Sequence, residues 1–145
     1  MKHLCYIWVV LLLVICNAAA QQPISVRVDQ LIKFPQRFND KLVSITGYYD
    51  VEHHGAYLCV DKKSGERSES RVHLDFDHSP ISVESVSRVP HGYVVATGIF
   101  QYRDMTTRIA SDGSRVIPAG FGWMNTANKQ LTRITAFRRL AGQKP

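Results

Sequence analysis

Histidine and carboxylate side chains fall close together in His73-Leu74-Asp75-Phe76-Asp77-His78. On an extended strand, positions i, i+2 and i+4 project from one face, so His73, Asp75 and Asp77 would point the same way. An imidazole beside two carboxylates is a donor set for a divalent cation. Glu52, His53 and His54 would extend it if the turn that carries them reaches the end of that strand. A metal-dependent hydrolase is the chemistry such a cluster would allow. The competing reading is the polar outer face of a half-buried strand. No H-E-x-x-H or C-x-x-C spacing marks a metal centre, and no resident cofactor is expected.

A second set is cationic. Lys129, Arg133, Arg138, Arg139 and Lys144 lie in the last 21 residues with no acid among them. Tyr48, Tyr49, Tyr57, Phe100 and Tyr102 fall in strand-like segments. A basic groove with stacking aromatics binds single strands, sugars or anionic polymers, so Lys129, Arg133, Arg138 and Arg139 are candidate ligand-binding residues. The plain alternative is a solvated basic tail and a set of core aromatics. Asp75 and Asp77 with Arg71 and Arg103 would suit a nuclease, but no spacing fixes their geometry. There is no G-x-S-x-G elbow and no phosphate-cradling glycine loop, so a non-catalytic role is expected.

The first twenty residues are read as an address. Met1-Lys2-His3 precedes an apolar run from Leu4 to Cys16, and Asn17-Ala18-Ala19-Ala20 closes it. One basic residue, a short apolar core and an A-x-A exit form a secretory signal, with cleavage expected after Ala20. The run is shorter than the roughly 20 residues of a stable membrane span. Leu13-Val14-Ile15-Cys16 offers lipidation of Cys16 as the minor alternative, with a bulky Ile15 where a small residue is usual. The exported chain, residues 21–145, is then one domain, periplasmic or secreted. The formal charge of +6 loses one lysine and no acid with the signal. Export excludes intracellular nucleic acid and leaves an envelope protein or an anionic polymer as expected partners of a monomer. Cys5 and Cys16 depart with the signal, so Cys59 has no internal disulfide partner. In the apolar run Ala56–Val60 it reads as a buried, inert thiol.

These groups depend on the elements that carry them. Val26 and Val28 suggest a short extended lead-in. Asp29 is placed as the cap of a short helix whose Leu31, Phe34 and Phe38 share one face, interrupted by Pro35. Lys41–Asp50 alternates as a strand with Gly47 at a bend, and Ala56–Asp61 is the next strand after a turn at 52–55. Lys62–Ser70 is a polar loop. Arg71–Asp77 puts Val72, Leu74 and Phe76 inward. Residues 79–88 read as a short helix or an irregular crossing. Tyr93–Tyr102 is the strongest strand, with Gly98 inside it. An Asp112-Gly113 turn follows. Gln130–Leu140 places Leu131, Ile134 and Phe137 at spacing three and reads as a bulged strand.

Five strands and a helix in about 125 residues economically close into a small barrel, because closure removes sheet edges. The expected fold is mainly β, a closed or partly open five-stranded OB-fold-like barrel with a short N-terminal helix. Val28-Asp29-Gln30-Leu31-Ile32, Pro35 and Phe38 to Tyr48 resemble the "L-x-x-x-P-x-x-[FY]" helix and "G-K-x-V-x-V-x-G-Y" strand of small exported bacterial proteins with such barrels. Gly92–Phe100 is similar to their "G-x-Y-V-x-V-x-G-x-F" strand, and Phe121-Gly122 through Ile134 to their closing segment. The likeness covers roughly residues 26–137 and departs at Asp40, where glycine is usual. It implies fold and export and carries no catalytic signature. The expectation is an exported, non-catalytic binding or interaction module of the bacterial cell envelope. A metal-dependent hydrolase, or a structural envelope protein without a small ligand, stands as the alternative.

Overall fold

The computed structural model describes residues 21–53, 55–66, 68–122 and 127–141. The signal expected over residues 1–20, with Cys16, lies outside them, as do His54 and Lys144. Strand β1 (Ile24–Arg27) leads into helix α1 (Val28–Lys33) and a 3-10 turn at Pro35–Phe38. Then come β2 (Lys41–Glu52), β3 (Gly55–Cys59), β4 (Arg71–Leu74), helix α2 (Val83–Ser87), β5 (Gly92–Tyr102), a ribbon of β6 (Arg108–Ile109) and β7 (Arg115–Val116), and β8 (Lys129–Arg139). The polar loop at 62–70 coils into 3-10 turns.

The long strand β2 closes the barrel by using both edges. Lys41–Tyr49 pairs antiparallel with β5, and Tyr48–Glu52 pairs antiparallel with β3. Strand β3 pairs with β4, β4 runs parallel to β8, and β8 returns antiparallel to β5. The five-stranded OB-fold-like barrel is therefore closed. Strand β1 adds a sixth strand outside the ring, parallel to β2 through Ile24–Val43 to Arg27–Thr46. Strands β1 and β3 lie end to end along one edge of β2. Gly47 sits where β2 passes from one to the other, and a Cβ there would overlap Val28 Cγ2 and stand 3.1 Å from the Cys59 carbonyl. The bend expected from that glycine is thus also a close approach.

Inward residues follow the alternation. Val43, Ile45, Leu58, Val72, Val94, Phe100, Leu131 and Ile134 are fully buried, and Leu31 of α1 joins them. Strand β8 keeps this alternation only through a bulge. Thr97 faces Ala136 and Ile99 faces Thr132, so three residues of β8 oppose Gly98 alone. Arg133 takes a left-handed backbone at φ 50 to accommodate them. The extra residues turn Leu131, Ile134 and Phe137 inward together, which explains a spacing foreign to both helix and flat strand. The bulge frees the amide of buried Ile134 from the ladder, and it donates to Ser79 Oγ at 2.8 Å.

Several expectations are corrected. Arg27 caps α1, with Gln30 Oε1 accepting its backbone N–H at 3.1 Å; Asp29 lies inside the first turn. Phe34 is 42% exposed, because the helix ends there ahead of Pro35, which disfavours helical backbone at the residue before it. Strand β4 stops at Leu74, three residues early, where Asp75 turns its own carboxylate onto the Asp77 N–H. The turn into β2 places Asp40 in a left-handed backbone at φ 57.

Candidate functional site

Helix α2 closes one end of the barrel incompletely. Ser82 caps it by accepting the Ser85 N–H at 3.3 Å, and buried Tyr49 donates its hydroxyl to the Val86 carbonyl at 3.3 Å. Between α2, the β2–β3 turn and the chain after β4 lies a cleft of about 390 Å³. Its apolar walls are Tyr49, Val51, Ala56, Leu74, Phe76, Val83 and Val86. Its polar groups are the carboxylates of Glu52, Asp75 and Asp77 and the imidazoles of His53 and His73; among the described residues no lysine or arginine lines it. The protein carries 18 lysines and arginines against 12 acidic residues, so a cleft lined by three acids and, among the described residues, by no lysine or arginine runs against its overall charge.

The turn that carries Glu52 and His53 does reach the end of β4, so that both line the same cleft as His73. Among the described residues, however, His73, Asp75 and Asp77 are not brought together as a three-ligand metal site. No group of three His, Cys, Asp or Glu side chains among the described residues is arranged to hold a metal ion. The reason is local: with β4 ended at Leu74, Asp75 and Asp77 lose the i, i+2, i+4 alignment. Asp75 Oδ1 accepts the Asp77 N–H at 3.0 Å and its Oδ2 accepts the Thr132 hydroxyl at 3.2 Å. His73 lies edge-on to Tyr57 with ring centroids 5.5 Å apart, flanked by the backbone of Gly55 and Gly122. Its Nδ1 is buried without a hydrogen-bond partner among the described residues. Burial holds the imidazole below its ordinary pKa, and Arg71 adds to this; the charges of Asp75 and Asp77 oppose it. Glu52 accepts Arg71 Nη1 at 2.7 Å, and the Arg71 guanidinium stacks 4.2 Å from the centre of the Tyr57 ring.

The cationic set divides. Lys129 is 4% exposed, and its Nζ donates to the Glu69 carbonyl at 3.1 Å and to Asn128 Oδ1 at 2.7 Å. Its ammonium is committed inside the fold, and burial lowers its pKa. Arg133, Arg138 and Arg139 are exposed along β8. Tyr49 and Phe100 are core residues, while Tyr48 and Tyr57 pack with Cys59 and Tyr93 in a small cluster outside the main core. Cys59 is buried, and burial followed by the nearby Asp50 charge pushes its thiol up to about 12. His53 and Cys59 stand at opposite ends of β3, so they form no nucleophile–base pair.

The α2 side of the cleft was not legible as a site. Val83 and Val86 carry no chemistry-bearing type; only the capping Ser82 announces the helix that brings them there. No protein-family model matches the chain, and no curated protein or solved structure is significantly similar to it.

Proposed function

We propose that the protein is an exported, non-catalytic binding module of the bacterial cell envelope whose ligand site is the cleft beneath α2. The observation that carries this reading is the composition of the cleft: an apolar trough rimmed by three carboxylates, with no lysine or arginine among the described residues, in a basic protein. Ligand sites are concave and mostly apolar, with a few placed polar groups that fix orientation. Here those groups select a cation on an apolar stem, the chemistry shared by a lysine or arginine side chain of an envelope protein and by a free alkyl amine. Two of the three carboxylates are engaged, Asp75 by Thr132 and the Asp77 N–H, and Glu52 by Arg71. Asp77, exposed at the rim, is the side chain assigned to the ligand's charge.

Calorimetric titration with agmatine and cadaverine, against butyrate and glucose, tests the reading. The two amines bind, binding weakens with added salt, and Asp77→Asn lowers affinity by about tenfold, in keeping with one charge-assisted contact. Equal binding of butyrate, or unchanged amine affinity in Asp77→Asn, would refute it.

A further inference from the structure

The other end of the barrel carries a surface of different character. Strand β2 pairs Tyr49 with Gly92 on the cleft side and Lys41 with Phe100 at the far end. At that far end two features are joined. The Tyr102 N–H donates to Asn39 Oδ1 at 2.7 Å, tying the end of β5 to the segment after α1. Arg103 fastens the root of the β6–β7 ribbon: its Nη1 donates to the Ala119 carbonyl at 3.1 Å, and its guanidinium stacks 4.3 Å from the Phe121 ring centre.

The ribbon exposes its aliphatic side chains. Ile109 is 68% and Ile117 72% exposed. Ile109 is registered against Arg115, and Ile117 follows directly on the end of β7. Five residues before Asn39, exposed Phe34 lies under two cations, Lys33 Nζ at 5.3 Å and Arg37 at 5.5 Å from its ring centre. Residues 33–41 and 103–117 together carry six basic and three acidic side chains. Of the acids, Asp112 is held by Ser114 within its turn, Asp104 by Thr106 and, at 3.9 Å, by Arg108, and Asp40 by the Asn39 amide.

We infer that this end of the barrel docks on an anionic lipid surface, with Ile109, Ile117 and Phe34 entering the headgroup–acyl boundary and Lys33, Arg37, Arg108 and Arg115 meeting lipid phosphates. Apolar and basic side chains are interleaved at single-residue spacing, which fits a boundary where hydrocarbon and anionic headgroups lie a few ångströms apart. Charge complementarity favours an anionic bilayer, whose surface attracts each nearby basic side chain. No helix among the described residues is long and apolar enough to cross a membrane, so the contact is peripheral.

The test uses the chain from Gln21, within which the barrel closes, and sedimentation with vesicles of phosphatidylglycerol and phosphatidylcholine or of phosphatidylcholine alone. Binding requires phosphatidylglycerol and falls steeply as salt is raised from about 50 to about 300 mM. The double variant I109S/I117S partitions about tenfold less, with an unchanged thermal midpoint because both side chains are already in solvent. Arg108→Gln with Arg115→Gln loses binding to the anionic vesicles to a similar extent, and Asp77→Asn loses none. Equal partition onto both vesicle types, or an I109S/I117S variant that binds as the parent does, would overturn the inference. Self-association that depends on Ile109 and Ile117 without vesicle binding would assign the patch to a second copy of the chain and overturn it equally.

Discussion

Replacing Gly98 by alanine tests how the barrel is closed. The backbone there is not left-handed, so conformational strain is not the issue; the issue is space. An added Cβ would stand 2.7 Å from the Thr132 carbonyl oxygen, 3.1 Å from Leu131 Cγ and 3.3 Å from Ile134 Cα. Two of those atoms belong to the backbone of the β8 bulge and cannot move aside by a change of rotamer. Relief requires β8 to shift outward, which stretches the bond from the Ile134 amide to Ser79 and loosens Leu131 and Ile134, both fully buried. Overpacking of this kind costs about 1–3 kcal/mol, and a backbone clash belongs at the upper end. For a domain of this size, about 3 kcal/mol lowers the thermal midpoint by roughly 10 °C. Gly113→Ala is the internal control. It has φ +81 and nothing within 4 Å of an added Cβ, so it pays only the left-handed penalty of about 1–2 kcal/mol. Circular dichroism melts of both variants decide the matter. A midpoint loss in Gly98→Ala under about 3 °C, or smaller than that of Gly113→Ala, would refute the closure at this bulge.

Ser79→Ala orphans the amide of buried Ile134 and should cost about 1–3 kcal/mol in urea unfolding; a change within error would mean that water replaces the hydroxyl. The depressed pKa of His73 makes its stability contribution present above its unfolded value of 6.5 and lost as pH falls toward the folded value. His73→Gln should therefore flatten the stability profile just below pH 6.5, read from urea midpoints at stepped pH. With its thiol near 12 and buried, Cys59 should resist a thiol-specific disulfide reagent at neutral pH in the native protein and react at once in urea.

The sequence pattern revealed the strands that alternate cleanly, β2 and β5 above all, because each has one face in the core. It also marked β8 as irregular through Leu131, Ile134 and Phe137, although only the pairing shows that residues opposite Gly98 cause the irregularity. Phe34 misled because an apolar residue at helical spacing was counted inward, while Pro35 decided where the helix ended. Asp75 shows the opposite difficulty: counted in the sequence as the middle of a strand, it lies beyond the end of β4 and bonds the Asp77 N–H. The role of β1 was illegible, since a parallel pairing leaves no turn to read. The β6–β7 ribbon announced only its Asp112-Gly113 turn, its strands being two residues long. His53 and His73 do meet at one cleft, but the half of that cleft supplied by α2 consists of residue types that announce nothing.

The position of β8 in the ring has a consequence in time. It is the last strand in the chain, yet it stands between β4 and β5, which are made long before it. Until residues 129–139 are available, β4 and β5 each keep an unpaired edge and the ring stays open. A chain made in order from its N-terminus thus cannot complete its fold before its final strand is available. Its folding step is governed by the arrival of the C-terminal strand and by slow, long-range pairing, and any truncation before residue 129 leaves two sticky edges in place of a closed wall.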